Sequence, residues 1–177
     1  NIENGIAAMA LAQLSGVTND EIKAGMASFQ GIERRFDFKI KTDKVVYLSD
    51  YAHHPEEIKQ SILSVRALYQ DKKLTAVFQP HLYTRTRDFY QEFADSLSLL
   101  DEVILTDIYP ARELPIEGVS SQLIYDHLSP NVEKTLCKKE EVLELLKNKN
   151  IEVLITLGAG DIENYASQIC EILNQQC

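Results

Sequence analysis

The sequence predicts an α/β fold: a mostly parallel, Rossmann-like sheet with helices on both faces, preceded by a small helical segment and an edge hairpin. Three observations carry this expectation. Apolar runs at 45–48, 74–78, 103–105 and 151–157 have the length of buried strands. Stretches between them carry apolar residues three and four positions apart, the spacing of a helix with one buried face. The runs pass into these stretches through polar loops, and strand, loop and helix in alternation build a parallel sheet with helices on both faces.

Taken in order, Ile2, Ile6, Met9 and Gln13 or Leu14 mark a first helix that stops at Gly16. Thr18 to Glu21 has the spacing of a capping box, and Ile22, Met26 and Phe29 form the apolar face of a second helix ended by Gly31. These two helices make a small leading unit. Phe36, Phe38 and Ile40 then alternate with polar residues, Thr42-Asp43-Lys44 turns the chain, and Val45 to Leu48 returns as the second arm of a hairpin. Pro55 opens the next helix, where its missing N–H is not needed, with Ile58, Ile62, Val65 and Tyr69 on one face. Leu74 to Phe78 is a strand, Gln79 to Arg87 a loop, and Phe89, Phe93, Leu97 and Leu100 line a helix. Val103 to Leu105 is a short strand, Thr106 to Val119 a long loop, and Ser120 or Ser121 caps a helix. A weak strand near Val132 to Leu136, a charged helix at Lys139 to Lys147, a strand at Ile151 to Leu157 and a helix to about Gln175 complete the chain.

At 177 residues and 45 % hydrophobic content the chain can bury an ordinary core. Its net charge of -9 argues against a general nucleic-acid binder or a binder of anionic membranes, and no apolar run is long enough to span a bilayer. Five of the six arginines (Arg34, Arg35, Arg85, Arg87 and Arg112) lie in or beside candidate loops. The planar guanidinium suits carboxylate and phosphate, so an acidic chain that concentrates arginine in loops is expected to bind a small anion. Cys137, Cys170 and Cys177 show no metal-type spacing and read as free thiols of a reducing compartment, the cytoplasm. The chain starts in mid-helix pattern with Asn1 rather than with Met, so we expect a piece of a longer protein.

In a parallel sheet the loops that follow the strands share one edge. Asp50 to His54, Gln79 to Arg87, Thr106 to Glu113 and Gly158 to Asp161 are therefore expected to converge, with three of the four histidines and three of the six arginines at one crevice. Asp50, His53, His54 and His81 have the chemistry of zinc or iron ligands, but adjacent histidines project in different directions, and a metal-free polar role is preferred. Arg85 suits an α-carboxylate or a phosphate; Arg87 and Asp88 read as a solvated pair. Of Arg34 and Arg35, consecutive beside an edge strand, one should reach inward and the other solvent. Gly158-Ala159-Gly160 reads as a tight turn, with Asp161 a helix cap or an ammonium partner. The long loop at 106–113 is a functional candidate on length alone.

Together Asn1-x-x-Asn4, Phe29-Gln30-Gly31-Ile32-Glu33-Arg34-Arg35-Phe36, Asp50-Tyr51-Ala52-His53-His54-Pro55, Gln79-Pro80-His81-Leu82-Tyr83-Thr84-Arg85-Thr86, Tyr109-Pro110-Ala111-Arg112-Glu113 and Gly158-Ala159-Gly160 resemble the carboxy-terminal domain of the Mur ligases of peptidoglycan synthesis. The resemblance covers essentially all of residues 1–177, and the Pro-His-x-Tyr-Thr-Arg-Thr loop is similar to that of the branch that adds L-alanine to UDP-N-acetylmuramate. It implies one domain of a three-domain enzyme in which ATP with Mg2+ phosphorylates the lactyl carboxylate of the UDP-sugar, and the alanine amine attacks the acyl phosphate. It further implies that Asn1 and Asn4 lie on the nucleotide side of a hinge, that Arg35 and Asp50 contact ATP, and that Tyr51, His53, His81 and Arg85 hold alanine and the reacting acyl group. Leu82 departs from the pattern, since many members carry arginine there.

No Gly-x-x-x-x-Gly-Lys-Ser/Thr stretch is present. In the family the phosphate-binding loop and magnesium ligands belong to a central domain, so the chain by itself is expected to be inactive. Rival readings are the branch that recycles whole murein peptides onto the same UDP-sugar, a metal-dependent hydrolase using Asp50, His53 and His81, and a non-catalytic nucleotide-binding module.

Overall fold

A computed structural model describes residues 2–29 and 31–175. The chain forms two compact units, one ending at Ile32 and the other beginning at Glu33.

The leading unit is a pair of helices, α1 (Ile2–Leu14) and α2 (Asn19–Ser28). Gly16 follows α1 in the left-handed region at φ +87, a conformation glycine adopts without a side-chain penalty. Thr18 caps α2 reciprocally: its hydroxyl accepts from the Glu21 N–H at 3.4 Å, and the Glu21 carboxylate accepts from the Thr18 N–H at 2.9 Å. The apolar face expected on α2 buries nothing, because two short helices are too small to enclose a core.

The second unit is a six-stranded sheet in the order β1-β2-β6-β3-β4-β5, formed by β1 (Asp37–Lys41), β2 (Val46–Asp50), β3 (Leu74–Phe78), β4 (Glu102–Leu105), β5 (Glu133–Leu136) and β6 (Val153–Leu157). Only β1 is antiparallel to its neighbour; the other pairings are parallel. α3 (Pro55–Leu68), α4 (Tyr83–Leu97) and α5 (Gln122–His127) follow β2, β3 and β4. Ile58, Ile62, Phe93, Leu97 and Ile124 from these helices pack on one face, against Val46, Leu48, Ala76 and Phe78. α6 (Val142–Lys147) and α7 (Ala166–Asn174) cover the other face, where Leu146, Ile169 and Leu173 meet Tyr47, Val77, Ile104 and Leu154. Successive residues of β2 thus enter opposite cores, as the strand period requires.

β6, last in the sequence, is inserted between β2 and β3. Its end lies level with both neighbours: Leu157 pairs with Asp50 on one side and Phe78 on the other. The chain leaves these adjacent strands in different directions, and such a switch in strand order is where open α/β sheets bind ligands, beyond the carboxyl ends of the strands. Among the described residues no helix is long and apolar enough to cross a membrane.

Several boundaries differ from the sequence expectation. β2 continues through Ser49 and Asp50 because both pair with β6, so Asp50 closes the strand instead of opening a loop. α4 begins at Tyr83, which shortens the preceding loop and places Thr84 to Arg87 in its first turns. The charged helix and the last helix are each preceded by a 3-10 turn, at Lys139–Glu141 and Ile162–Tyr165.

Candidate functional site at the carboxyl edge of the sheet

The loops after β3, β4 and β6 are tied together by their backbones and by one buried amide. Leu82 N–H donates to the Tyr109 carbonyl at 2.9 Å and Tyr109 N–H to the Pro80 carbonyl at 2.8 Å, so the β3 and β4 loops run as a short ladder. Gln79, 3 % exposed, donates its amide N–H to Asp161 at 2.8 Å and accepts from the Ile162 N–H at 2.9 Å. Gly158 and Gly160 make room for that side chain and its backbone. A Cβ on Gly158, at φ +137, would lie 2.6 Å from the Gln79 carbonyl oxygen; one on Gly160 would lie 2.3 Å from the Gln79 side-chain oxygen and 2.8 Å from Tyr109 Cβ. The glycines thus serve close packing of two loops, and Asp161 pairs with the Lys139 ammonium.

On this base sits a row of half-buried rings. Tyr51 and His53 have centroids 5.2 Å apart, His53 and His81 6.1 Å, and His81 stacks on Tyr109 at 5.7 Å. Arg85 reaches back along the first turn of α4, its Nη1 3.4 Å from His81 Nδ1. A guanidinium only donates, so Nδ1 of His81 is the acceptor and Nε2 carries the hydrogen of the neutral ring. Burial, the Arg85 charge and His53 hold the His81 imidazole below its ordinary pKa, with Glu113 pulling the other way. The ring is therefore neutral at physiological pH and offers an N–H beside a fixed positive charge, a pair suited to a carboxylate or phosphate oxygen.

The carbonyl of Tyr51 lies 2.9 Å from His53 Nδ1, which must be protonated to bond it. The Glu57 carboxylate stands 3.5 Å from the same nitrogen and accepts the backbone N–H groups of His53 and His54 at 3.1 and 3.2 Å. Opposite, the Arg34 guanidinium lies over the Tyr51 ring at 4.8 Å and donates to the Gly160 carbonyl at 3.2 Å. Its Nε is buried without a hydrogen-bond partner, an orphan donor of the kind an anionic ligand satisfies.

Residues 34–162 match the family described as Mur ligase, glutamate ligase domain. The chain belongs to the Mur ligase family. It is 78 % identical over 176 residues to the UDP-N-acetylmuramate--L-alanine ligase of Phocaeicola vulgatus, covering 99 % of this chain and 38 % of that protein. Identity to the enzyme of the same name from Parabacteroides distasonis is 59 %, over 99 % of this chain and 38 % of the relative. The chain thus spans 38 % of the length of these curated relatives. The crystal structure of the UDP-N-acetylmuramate-alanine ligase of Thermotoga maritima superposes with a TM-score of 0.80 at 25 % identity, over 100 % of this chain and 38 % of that one. A murein peptide ligase from Psychrobacter arcticus shares the fold, with a TM-score of 0.69 at 18 % identity over 97 % of this chain and 36 % of that one.

Within the second unit the structure brings Tyr51, His53, His81 and Arg85 together, and it sets other residues of that unit to different tasks. Asp50 is engaged within the protein: its carboxylate accepts from Ser61 Oγ of α3 at 2.6 Å and from Ala52 N–H at 3.3 Å. His54 is exposed on the far side of the loop, its ring 5.0 Å from Phe89, so two histidines rather than three meet at the crevice. Arg87 pairs with Asp88 at the surface, and Arg112 is exposed. Between the consecutive arginines, Arg34 turns inward and Arg35 is the exposed one, 5.8 Å from the Tyr51 ring centroid. Arg34 at φ +62 and Phe36 at φ +50 break the strand alternation that would have decided between them. Asn4 is exposed on α1, in the leading unit, and Asn1 lies outside the described residues. Among the described residues no group of three His, Cys, Asp or Glu side chains is placed to hold a metal ion.

Sequence reasoning placed Glu113 in a candidate loop but gave it no role. It comes from the long β4 loop and accepts from the Thr84 N–H at 3.0 Å and from the Thr84 hydroxyl, capping the helix that carries Arg85. The signal was indirect: α4 has no capping side chain of its own, since Leu82 occupies that position at φ +73.

Proposed function

We propose that this chain is the amino-acid-binding, carboxy-terminal domain of a longer cytoplasmic enzyme, an ATP-dependent acid–amino-acid ligase that joins L-alanine to UDP-N-acetylmuramate in peptidoglycan synthesis. The observation that carries this reading is the Arg85–His81 pair, half-buried beside His53 at the switch point of the sheet in a Mur ligase domain. A positive fork and a neutral N–H donor side by side match the α-carboxylate of an amino acid, and leave its ammonium free to face the acyl group. Tyr51 and His53 line the opposite side of that space.

Arg35 and Asp50 are assigned to the nucleotide, together with the inward-turned Arg34; for Asn1 and Asn4 a nucleotide role rests on the family resemblance alone. The unpartnered Arg34 Nε supports an anion there. When bound, ATP supplies the phosphoryl group that activates the lactyl carboxylate. The Mg2+ ligands and the phosphate-binding loop are assigned, on the family resemblance, to other domains of the full-length protein. The isolated 177-residue chain is expected to show no turnover.

The test is phosphate release by the full-length gene product with ATP, Mg2+ and UDP-N-acetylmuramate, comparing L-alanine with the tripeptide L-alanyl-γ-D-glutamyl-diaminopimelate. Release with L-alanine supports the reading. Release with the tripeptide alone transfers the protein to murein recycling, and release with neither removes the ligase reading.

A further inference from the structure

We propose that His53 is the base that takes the proton from the incoming ammonium group. The inference deepens the ligase reading and rests on it. An amino acid reaches the site as an ammonium ion, which has no lone pair. One proton must leave before the nitrogen can attack, and a base placed beside it is the ordinary means.

Three features of the loop after β2 make His53 that base. The first is its tautomer. Because the Tyr51 carbonyl can only accept, Nδ1 at 2.9 Å holds the hydrogen, and the lone pair of the neutral ring is on Nε2. His81, by contrast, has its Nδ1 lone pair facing the Arg85 guanidinium and presents Nε2–H, so it serves as a donor. Two neighbouring imidazoles, 6.1 Å apart, are thus set in opposite tautomers for opposite tasks. The second feature is charge. Glu57 stands 3.5 Å from Nδ1, on the side away from the lone pair, and stabilises the imidazolium that forms when Nε2 takes a proton. The third is fixation. Glu57 also holds the backbone N–H groups of His53 and His54, so the ring is positioned by the first turn of α3. Base, orienting carbonyl and supporting carboxylate reproduce the arrangement by which a histidine is made a directed proton acceptor. The charged and titratable groups facing His53 are Glu57 on α3, Tyr51 in its own loop, and His81 with Arg85 behind it across the crevice.

One N–H bond of the ammonium breaks and its proton bonds to His53 Nε2. The freed pair on nitrogen forms the C–N bond at the acyl-phosphate carbon, and the C–O bond to phosphate breaks with its electron pair on the phosphate. The second proton of the new amide nitrogen leaves with the phosphate, which departs as hydrogen phosphate.

The experiment uses full-length enzyme with ATP, Mg2+ and UDP-N-acetylmuramate, offered either L-alanine or hydroxylamine. Hydroxylamine is a free base near neutral pH and captures the acyl phosphate as a hydroxamate without a proton acceptor. In His53→Asn the amide keeps a donor at the position of Nδ1 and deletes Nε2. We expect the ratio of alanyl product to hydroxamate to fall about 10²–10⁴-fold, and to recover as pH rises and more alanine arrives as free amine. An unchanged ratio, a raised KM for alanine with unchanged kcat, or parallel loss of both products overturns the role of His53. Absence of both products from the wild-type enzyme overturns the ligase reading instead.

Discussion

The guanidinium of Arg85 and the imidazole of His81 meet at 3.4 Å, one helical turn apart in sequence, where β3 passes into α4. This contact sets the tautomer of His81, lowers its proton affinity and places a charged and a neutral donor side by side. It also gives a direct spectroscopic handle.

Arg85→Ala should raise the titration midpoint of His81, because the Arg85 charge is the second largest contribution, after burial, to its depression. The sign follows from linkage: in the folded chain His81 resists protonation, so stability and site integrity decline as pH falls below its ordinary value of 6.5. Following the His81 ring proton by NMR from neutral to acid pH checks this. A midpoint that does not move in the variant contradicts the contact.

Glu113 links acid sensitivity to the same helix. The Thr84 hydroxyl and backbone N–H hold its carboxyl below the usual value of 4.5. The stabilisation is complete above that value and is lost as pH falls through the lowered one. Glu113→Ala should speed hydrogen exchange at the amides of Thr84 and Arg85 at neutral pH, and should flatten the acid dependence of that exchange.

The two glycines after β6 should differ in cost. Gly158→Ala combines an unfavourable φ with a clash against backbone, and is expected to destabilise by about 2–4 kcal/mol. Gly160→Ala keeps an ordinary φ and meets side chains, the Gln79 amide oxygen and Tyr109 Cβ, instead of backbone; it should cost less while breaking the Gln79 bonds to Asp161 and Ile162. Urea denaturation of both variants gives the order.

The sequence made β3 and the start of α3 readable, since an apolar run between polar stretches and a proline at a helix's first position are local signals. Thr18 and Glu21 were readable for the same reason. What it could not show depends on partners far away in the chain. Ser49 and Asp50 are strand residues because Thr156 and Leu157 pair with them, and Asp37 pairs with Ser49 from the other side. α4 starts early because Glu113, 29 residues on, caps Thr84. The convergence of Tyr51, His53, His81 and Tyr109 followed from parallel topology alone. The inward turn of Arg34 rather than Arg35 did not, because it depends on two residues of positive φ.

The proposed amino-acid site is tested most directly by the kinetics of Arg85→Ala in the full-length protein. Loss of one charged partner of a carboxylate should raise the KM for L-alanine by about 10²-fold, with the KM for ATP unchanged. An unaltered KM for L-alanine, or an equal rise in the KM for ATP, would contradict the assignment of this crevice to the amino acid.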